Sequence, residues 1–277
     1  MTDNAPRDLD TGKPHSARMY DYYLGGKDHF EVDEQAAEAV AFTWPGVFVC
    51  ARENRAFMHR ATRVLARDHG IGQWLDIGTG IPTEPNLHQV AQSVLPKARV
   101  VYVDNDPLVL KYAERLMRST SEGRTAYVEA DVTDPGTLLD RVRATGVLDL
   151  SRPVALSLNA VLHFVTDAAD PYGIVARLLD VLPPGSALAL SHGTPDFDPE
   201  TVARIKEIYT RSGTAMQLRT KAEVARFFDG LDLLEPGLAV GHRWRPEAAA
   251  TDAGAEQPTE QPTDAEVSLW AGVGIKG

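Results

Sequence analysis

Short apolar runs alternate with helix-length amphipathic segments through the central part of the chain. The apolar runs predict β-strands at Gln73–Ile77, Arg99–Asp104, Thr125–Glu129, Val154–Leu158 and Ala187–Ser191. Segments with apolar residues at helical spacing predict helices at Glu84–Leu95, Pro107–Arg118, Pro171–Leu182 and Pro199–Arg211, with another through Leu138 and Val142. This regular alternation is typical of a mainly parallel, doubly wound sheet with helices on both faces, which is the α/β fold that we predict.

The residues before this region follow a different pattern. Residues 1–14 are polar and contain Asp and Pro, so we expect a flexible tail. Residues 15–70 are mostly helical in pattern and predict an N-terminal helical cap, with helices at Val32–Phe42 and Phe48–His69. Glycines follow the second of these helices and are expected to end it.

The C-terminal part adds two more apolar runs. Leu238–Trp244 and Val267–Gly274 predict strands that close the sheet as an antiparallel edge hairpin. Between them, residues 247–266 form an acidic tract rich in Ala, Thr, Pro and Gln, which predicts a disordered insertion. We therefore place the core domain at residues 71–277.

Composition and charge narrow the class of protein. The chain has 277 residues, of which 43% are hydrophobic, enough for a buried core. The net charge of −11 disfavours nucleic acid as a partner, because nucleic-acid affinity comes largely from phosphate neutralisation. No apolar run reaches the length of a membrane span, and Cys50 is the only cysteine, so we expect no membrane association and no cysteine-based metal site. These features favour a cytoplasmic protein, and they carry no signal for an oligomeric state.

Carboxylates stand at the ends of the first two predicted strands. Asp76 runs into the turn Gly78-Thr79-Gly80, and Asp104 ends the second strand. In a doubly wound sheet these strand ends border a crevice large enough for a nucleotide. A dinucleotide-binding turn has a third glycine, where Thr83 stands here, and Pro82 removes a further backbone donor. The pattern therefore suits a positively charged cofactor without a phosphate better than a dinucleotide.

The third and fourth strands also end in polar residues. Asp131 follows the third strand, and Asn159-Ala160-Val161-Leu162-His163 follows the fourth. A plainer interpretation is available for each part alone: Asp104-Asn105-Asp106 could cap the helix that starts at Pro107, and a single Gly-x-Gly is often only a tight turn. It is the alignment of three strand ends that favours a nucleoside-type ligand.

Together these strand ends resemble the class I S-adenosylmethionine-dependent methyltransferases. Ala17–Phe30, Arg52–Phe57 and Asp76–Thr83 further resemble one actinobacterial-type family, the S-adenosyl methyltransferases, formerly catalogued as a domain of unknown function. The resemblance covers the chain from Pro14 onward, and the acidic insertion departs from it. It implies a Rossmann-like, seven-stranded sheet and S-adenosyl-L-methionine as cofactor, but no particular substrate.

The resemblance also implies roles for individual residues. Asp104 is expected to accept hydrogen bonds from the ribose hydroxyls, Asp131 from the adenine amino group, and Asp76 to orient the turn or attract the cofactor's amino group. Leu108 and Val161 are candidate apolar walls around the base. The cofactor-binding residues that we predict are Asp76, Gly78, Thr79, Gly80, Asp104, Asn105, Asp131, Val132, Asn159, Ala160, Tyr22, Gly25, Gly26 and Lys27.

The N-terminal signature leads to the hypothesis of a lid over the cofactor crevice. Its two adjacent glycines permit a tight turn. An aromatic wall facing the positive sulfur would come from Tyr20, Tyr22 and Tyr23. Candidates for pairing with the methionine carboxylate are Arg18, Lys27 and Arg55. For each of these side chains, ordinary packing within the helical cap is the alternative.

Methyl transfer is an in-line displacement, for which the protein chiefly aligns the reactants and excludes water. A general base is needed only if the acceptor must lose a proton. His163 is the first candidate, because it lies just past the fourth strand and imidazole titrates near neutrality. His29 and His192 come next, and a structural role is the alternative for all three.

We therefore predict an S-adenosylmethionine-dependent methyltransferase that acts on a small-molecule acceptor. Two alternatives stay open at this point: a non-catalytic regulator that binds S-adenosylmethionine, and an NAD-dependent oxidoreductase of similar architecture. A nucleic-acid methyltransferase is disfavoured by the charge. It is also disfavoured because no Asn-Pro-Pro-aromatic or Pro-Cys motif follows the fourth strand.

Overall fold

A mixed sheet of eight strands lies at the centre of the computed structural model, which describes residues 12–116, 118–246 and 261–277. The strands are β1 Gln73–Ile77, β2 Arg99–Asp104, β3 Arg124–Glu129, β4 Ala155–Asn159, β5 Ala187–Gly193, β6 Leu231–Leu233, β7 Ala239–Val240 and β8 Leu269–Lys276. They follow the order β3-β2-β1-β4-β5-β8-β6, and β7 pairs with β8 beside that path. The first five are parallel, whereas β8 is antiparallel to β5, β6 and β7.

Helices precede the sheet, connect its strands and follow β5. They are α1 Ser16–Tyr23, α2 Glu31–Thr43, α3 Val47–His69, α4 Leu87–Val94, α5 Pro107–Leu116, α6 Pro135–Ala144, α7 Pro171–Asp180, α8 Pro199–Arg211, α9 Lys221–Ala225 and α10 Asp264–Val267. Several begin at side chains that cap free backbone N–H groups. The Asp134 carboxylate accepts from the Thr137 N–H at 3.1 Å before α6, and Asp198 accepts from Thr201 at 3.0 Å before α8.

Both faces of the sheet are buried, as a parallel sheet requires. Leu75, Val101 and Leu156 pack into one apolar cluster, while Trp74 and Val100 on the same strands pack into a second cluster on the opposite face. A third cluster joins α1, α2, α3 and α8 beside the sheet. Among the helices that the structure describes, none has the length and apolar character of a membrane-crossing segment.

The predicted architecture is confirmed: a mainly parallel sheet, an antiparallel C-terminal strand pair and helices at the N-terminus. Two details of the C-terminal prediction are wrong. The predicted strand at residues 238–244 is reduced to the two residues of β7, because the chain turns into a 3-10 helix at Gly241–Arg243. The strand at this edge of the sheet is β6 rather than one of the two predicted strands. It is short and poorly buried, and so it gives little apolar signal in the sequence.

Two predicted segments fall partly outside the described residues. Residues 1–11 of the predicted flexible tail and residues 247–260 of the predicted disordered insertion lie there. The last part of that insertion is helical, because α10 begins at Asp264. Thr263 and Glu266 cap it by hydrogen bonding to each other's backbone N–H groups, which corrects the predicted boundary of the insertion.

Candidate active site

A cavity of about 470 Å³ opens at the carboxyl ends of the parallel strands and extends beneath the N-terminal helices. Most of the predicted cofactor-binding residues line it together. They come from the turn after β1, from the ends of β2 and β3 and from the segment after β4: Asp76, Gly78, Thr79, Gly80, Asp104, Asn105, Asp131, Val132, Asn159 and Ala160. We call this end of the cavity the cradle.

Asp104 joins two loops of the cradle. One carboxylate oxygen accepts from the Gly80 N–H at 2.8 Å, and the other accepts from the Asp106 N–H at 3.0 Å. Burial raises the pKa of this carboxyl group, and the two backbone N–H groups oppose that rise. Each oxygen keeps a further lone pair for a ligand donor, since a carboxylate offers about four acceptor positions.

The turn after β1 brings its backbone against the segment after β4. Gly78 has φ +72° and Gly80 has φ +68°, in the left-handed region that favours glycine. A Cβ on Gly78 would stand 2.6 Å from the nearest Val161 methyl carbon, so the close approach requires a glycine there. The Thr79 hydroxyl donates to the Asp76 carbonyl at 3.1 Å and closes the turn.

Asp76 is tied to β4 by a relay of side chains that the sequence analysis did not identify. The Ser157 hydroxyl donates to the Asp76 carboxylate at 2.6 Å, and the Asn159 amide N–H donates to Ser157 at 2.7 Å. The Asn159 Oδ1 atom is buried in the described structure without a hydrogen-bond partner. Burial raises the pKa of Asp76 to about 6, against the effects of Ser157 and the Arg55 charge. The relay thus presents a buried acceptor oxygen, Asn159 Oδ1, at the cavity wall.

The end of β3 contributes a more open part of the cradle. Asp131 is exposed, and its Oδ1 atom accepts from both the N–H and the hydroxyl of Thr133, at 2.8 and 2.7 Å. Val132 is buried and lines the cavity beside it. Of the two predicted apolar walls, Val161 lines the cavity, whereas Leu108 is buried in the protein away from its lining.

Part of the N-terminal signature reaches the cavity and part does not. Ala17, Tyr20 and Tyr23 line it, as does His15, which precedes the signature. The four predicted residues Tyr22, Gly25, Gly26 and Lys27 are not among the lining residues. Tyr22 packs on Phe48 and His29, and Lys27 is exposed.

The two glycines of this signature end α1 and wrap the chain around Asp21. Gly25 has φ +76°, and a Cβ on Gly26 would overlap the Asp21 carboxylate at 2.0 Å. Asp21 then accepts from the Asp28 N–H and the His29 ring, both at 2.9 Å. The sequence signal was therefore correct about a tight turn, but the turn serves the packing of the cap.

Both arginines proposed for the methionine carboxylate have protein partners. Arg18 is buried between Asp33 and Asp106, with nitrogen–oxygen distances of 3.5 and 3.4 Å. His15 lies 3.3 Å from the same Asp106 carboxylate, so α1 is fastened to the turn after β2. Arg55 lines the cavity near Asp76 and donates to the carbonyls of Thr83 and Pro85.

A hydrogen-bonded chain connects α1 to the segment after β4. The Asn54 amide N–H donates to the Tyr20 hydroxyl at 2.8 Å, and Asn54 Oδ1 accepts from the Ser191 hydroxyl at 2.5 Å. Ser191 Oγ accepts from the Ala160 N–H at 2.9 Å. Ala160 has φ +55°, a strained conformation for a residue with a side chain, so this chain holds a strained position at the cavity wall.

The three histidines proposed as bases have different surroundings. His29 lies outside the cavity lining and contacts Asp21. His192 is fully buried, with Nδ1–H donating to the Gly193 carbonyl at 2.7 Å and Nε2 accepting from Arg219 at 3.0 Å, so both ring nitrogens are used. His163 lines the cavity, and its Nδ1 accepts from the Gly193 N–H at 3.4 Å. Burial and the charge of Arg219 lower the pKa of His163 to about 4.

Arg219 is a fully buried residue that the sequence analysis missed. Its guanidinium donates to the carbonyls of Leu162 and Val165, at 3.1 and 3.0 Å, and to the Asp167 carboxylate at 2.7 Å. It therefore fixes the segment after β4 beneath the cavity. A lone arginine after α8 gives no sequence signal of burial, because arginine is usually exposed.

The far end of the cavity is mostly apolar. Its walls come from α1, α2, α3, α8 and the loop after α8, and include Tyr23, Val40, Val47, Ile205, Tyr209 and Met216. We call this end the chamber. Within the described ranges, no cluster of three or more His, Cys, Asp or Glu side chains is arranged to hold a metal ion.

Comparisons with known proteins agree with this geometry. A family model described as S-adenosyl methyltransferase matches residues 2–277. A DUF574 family protein from Streptomyces avermitilis MA-4680 shares 49% identity with a TM-score of 0.90, covering 97% of this chain and all of that one. A candidate methyltransferase from Thermobifida fusca YX shares 36% identity with a TM-score of 0.85, covering 99% of each chain.

More distant similarity concerns the fold alone. An O-methyltransferase family protein from Burkholderia thailandensis has 13% identity and a TM-score of 0.53, covering 97% of this chain and 65% of that one. A search of curated proteins found no match.

Proposed function

This chain belongs to the S-adenosyl methyltransferase family, and we propose that it methylates a small, largely apolar molecule bound in the chamber. The family is one of enzymes that use S-adenosyl-L-methionine. The observation that carries the proposal is the continuity of the cavity, which joins the carboxylate-lined cradle to the apolar chamber. Donor and acceptor would share this one space.

The residues of the cradle fit the cofactor. Asp104 offers free lone pairs at the end of β2 for the ribose hydroxyls, and the glycine turn leaves backbone rather than side chains against the ligand. The buried, unpartnered Asn159 Oδ1 and the nearby Asp76 carboxylate suit a donor that is positively charged, such as the cofactor's ammonium group. Asp131 and Val132 lie where we propose that the adenine binds.

When bound, the cofactor supplies a methyl group activated by a positively charged sulfur. The contribution of the protein is to orient the two reactants and to exclude water. We propose that residues 15–70 act as the cap that does this, because α1, α2 and α3 all contribute chamber walls. Arg18 fastens this cap to the cradle through Asp106.

A small acceptor agrees with the shape and charge of the site. The chamber walls are aliphatic and aromatic side chains contributed by the cap and α8. The net charge of −11 opposes a nucleic-acid acceptor.

The single cysteine supports a location in the reducing cytoplasm.

Two measurements test the proposal. The first is calorimetric titration with S-adenosylhomocysteine, for which we expect saturable binding at one site. The second is incubation with methyl-labelled S-adenosylmethionine and fractionated cell extract, for which we expect the label in the small-molecule fraction. Label found only in protein or nucleic acid would contradict the proposed acceptor class, and absence of nucleoside binding would contradict the assignment of the cradle.

A further inference from the structure

The hydrogen bond at His163 fixes which ring nitrogen carries the proton. A backbone N–H can only donate, so the Gly193 N–H requires a lone pair on His163 Nδ1. A neutral imidazole with a lone pair on Nδ1 carries its hydrogen on Nε2. The side chain lines the cavity, and its Nε2 makes no hydrogen bond within the described part of the chain. His163 therefore has a donor group available to a ligand.

A general base requires the opposite tautomer. To take a proton on Nε2, the ring would have to carry its hydrogen on Nδ1, which would then face the Gly193 N–H. Gly193 cannot turn away, because it belongs to β5 and pairs with Leu269 of β8. The geometry thus opposes the base role that the sequence suggested for His163.

The charged and titratable neighbours of His163 strengthen this conclusion. Arg219 lies behind the ring, and together with burial it lowers the pKa of His163 to about 4. The His192 ring is 5.6 Å away and is fixed in its neutral form between the Gly193 carbonyl and Arg219. The counter-ion of Arg219 is Asp167, whose side chain is 61% exposed and therefore well screened by water. The charge of Arg219 is therefore the nearby charge that acts on the His163 ring.

On the basis of the proposed function, we propose that His163 is a hydrogen-bond donor that orients an acidic oxygen of the acceptor, a phenol or conjugated enol bound as its anion. The donor N–H and the buried Arg219 charge both favour a negative ligand atom, and they disfavour a cationic amine. The chamber walls then accommodate the apolar remainder of the molecule.

This assignment gives a balanced reaction without a base. A lone pair of the anionic oxygen forms the new C–O bond while the C–S bond breaks and leaves its electron pair on sulfur. The negative charge of the oxygen and the positive charge of the sulfonium cancel. The proton of the acceptor is lost to water when the anion forms, before the methyl transfer, and so no protein group has to receive it.

A first experiment needs no acceptor. The ¹⁵N chemical shifts of the His163 imidazole distinguish the two neutral tautomers. These signals are assigned as the ones that are missing from the spectrum of His163→Gln. We expect the Nε2–H form in the full-length protein with S-adenosylhomocysteine, unchanged between pH 6 and pH 8. The Nδ1–H form, or a titration within that range, would overturn the proposal.

A second experiment uses 4-nitrophenol, whose anion is yellow, as the probe in the presence of S-adenosylhomocysteine. We expect the bound probe to ionise at lower pH than the free probe. His163→Ala should weaken binding of the anion by about tenfold or more, and His163→Gln, which retains an N–H donor, should restore part of it. An unchanged ionisation of the bound probe, or equal affinities in all three proteins, would refute the donor role.

Controls separate this proposal from the proposed function. His69→Ala changes an exposed histidine at the end of α3 and should behave as the wild type. If S-adenosylhomocysteine does not bind, the proposed function fails, whatever the tautomer. If the nucleoside binds but 4-nitrophenol shows no preference for its anion, the cradle assignment stands and the acidic-oxygen proposal fails.

Discussion

The cradle and the chamber are two ends of one cavity, yet they are built differently. The cradle consists of residues at or just after the carboxyl ends of parallel strands. Hydrogen bonds from backbone N–H groups, such as Gly80 to the Asp104 carboxylate, fix its shape. The chamber is lined by side chains from four helices and a loop, brought together by apolar packing. On the proposed function, we expect cofactor binding to depend on the sheet and the choice of acceptor to depend on how the cap packs.

The largest effect on nucleoside binding is expected from Asp104→Ala. The substitution removes the acceptor for two backbone N–H groups and, on the proposed function, for the ribose hydroxyls. Because each charge-assisted hydrogen bond contributes roughly 1.5–3 kcal/mol, we expect the affinity for S-adenosylhomocysteine to fall by about a hundredfold or more. Calorimetry measures it, and Asp140→Ala on the exposed face of α6 is the control. A loss below about tenfold would show that the cradle is not organised around this carboxylate.

Asp76→Asn should weaken nucleoside binding by about tenfold, through loss of one charge near the ammonium group. It should also make the protein more stable. The folded pKa of about 6 lies above the ordinary value of 3.8, so the folded state holds the proton more tightly than the unfolded state. The contribution of Asp76 to stability is therefore fully present below pH 4 and is lost as the pH rises through 6.

The pH dependence gives a direct check of Asp76. At pH 7 the Asn variant should gain about 1–3 kcal/mol in the free energy of unfolding, and the gain should vanish near pH 4. Urea denaturation across this range, without ligand, measures the difference. A variant that is less stable than the wild type at pH 7 would refute the buried-charge account of Asp76.

Asn54→Ala tests the hydrogen-bonded chain that connects α1 with the segment after β4 at the cavity wall. Tyr20 and Ser191 would both lose a hydrogen-bond partner in a buried position, which should lower the free energy of unfolding by about 1–3 kcal/mol. We expect nucleoside affinity to fall only several-fold, because Ala160 becomes less firmly held while the carboxylates remain. Arg52→Ala, an exposed change on the same helix, serves as the comparison. Equal stability of both variants would argue against the connection.

The smallest effect on nucleoside binding is expected from Met216→Trp, which fills part of the chamber. Met216 is buried and lines the chamber wall, away from the cradle. Because the two sites share no partners, affinity for S-adenosylhomocysteine should stay within about twofold of wild type. Binding of 4-nitrophenol should be lost, and Met216→Leu should retain it. A parallel loss of nucleoside affinity would show that the two ends are not independent.

The same comparison explains what the sequence could predict. The cradle could be predicted because strand ends, glycine turns and terminal carboxylates are local patterns, and parallel strands bring their carboxyl ends to one edge. Asp104 and Gly80 show this, since they are distant in sequence but meet at 2.8 Å. Among the residues predicted to contact the adenine ring, only Leu108 lies outside the cavity lining.

The chamber could not be predicted in the same way. Tyr22 and Tyr23 are adjacent in sequence, and only Tyr23 lines the cavity, because packing of α1 on α3 decides which side of the helix faces it. Ser191 and Asn54 form a 2.5 Å hydrogen bond across 137 positions of the chain. Their polar side chains looked unremarkable within a strand and a helix, and only the fold shows that they meet.

The short link between Asp104 and Arg18 has a consequence for turnover. Asp106 donates its N–H to the Asp104 carboxylate. The carboxylate of Asp106 itself lies close to Arg18 and His15. The carboxylate that we propose for the ribose and the ion pairs that hold α1 therefore belong to one short segment, residues 104–106. We expect S-adenosylhomocysteine to leave the site only when α1 moves away from this turn. Product release, rather than methyl transfer, would then limit the rate of turnover.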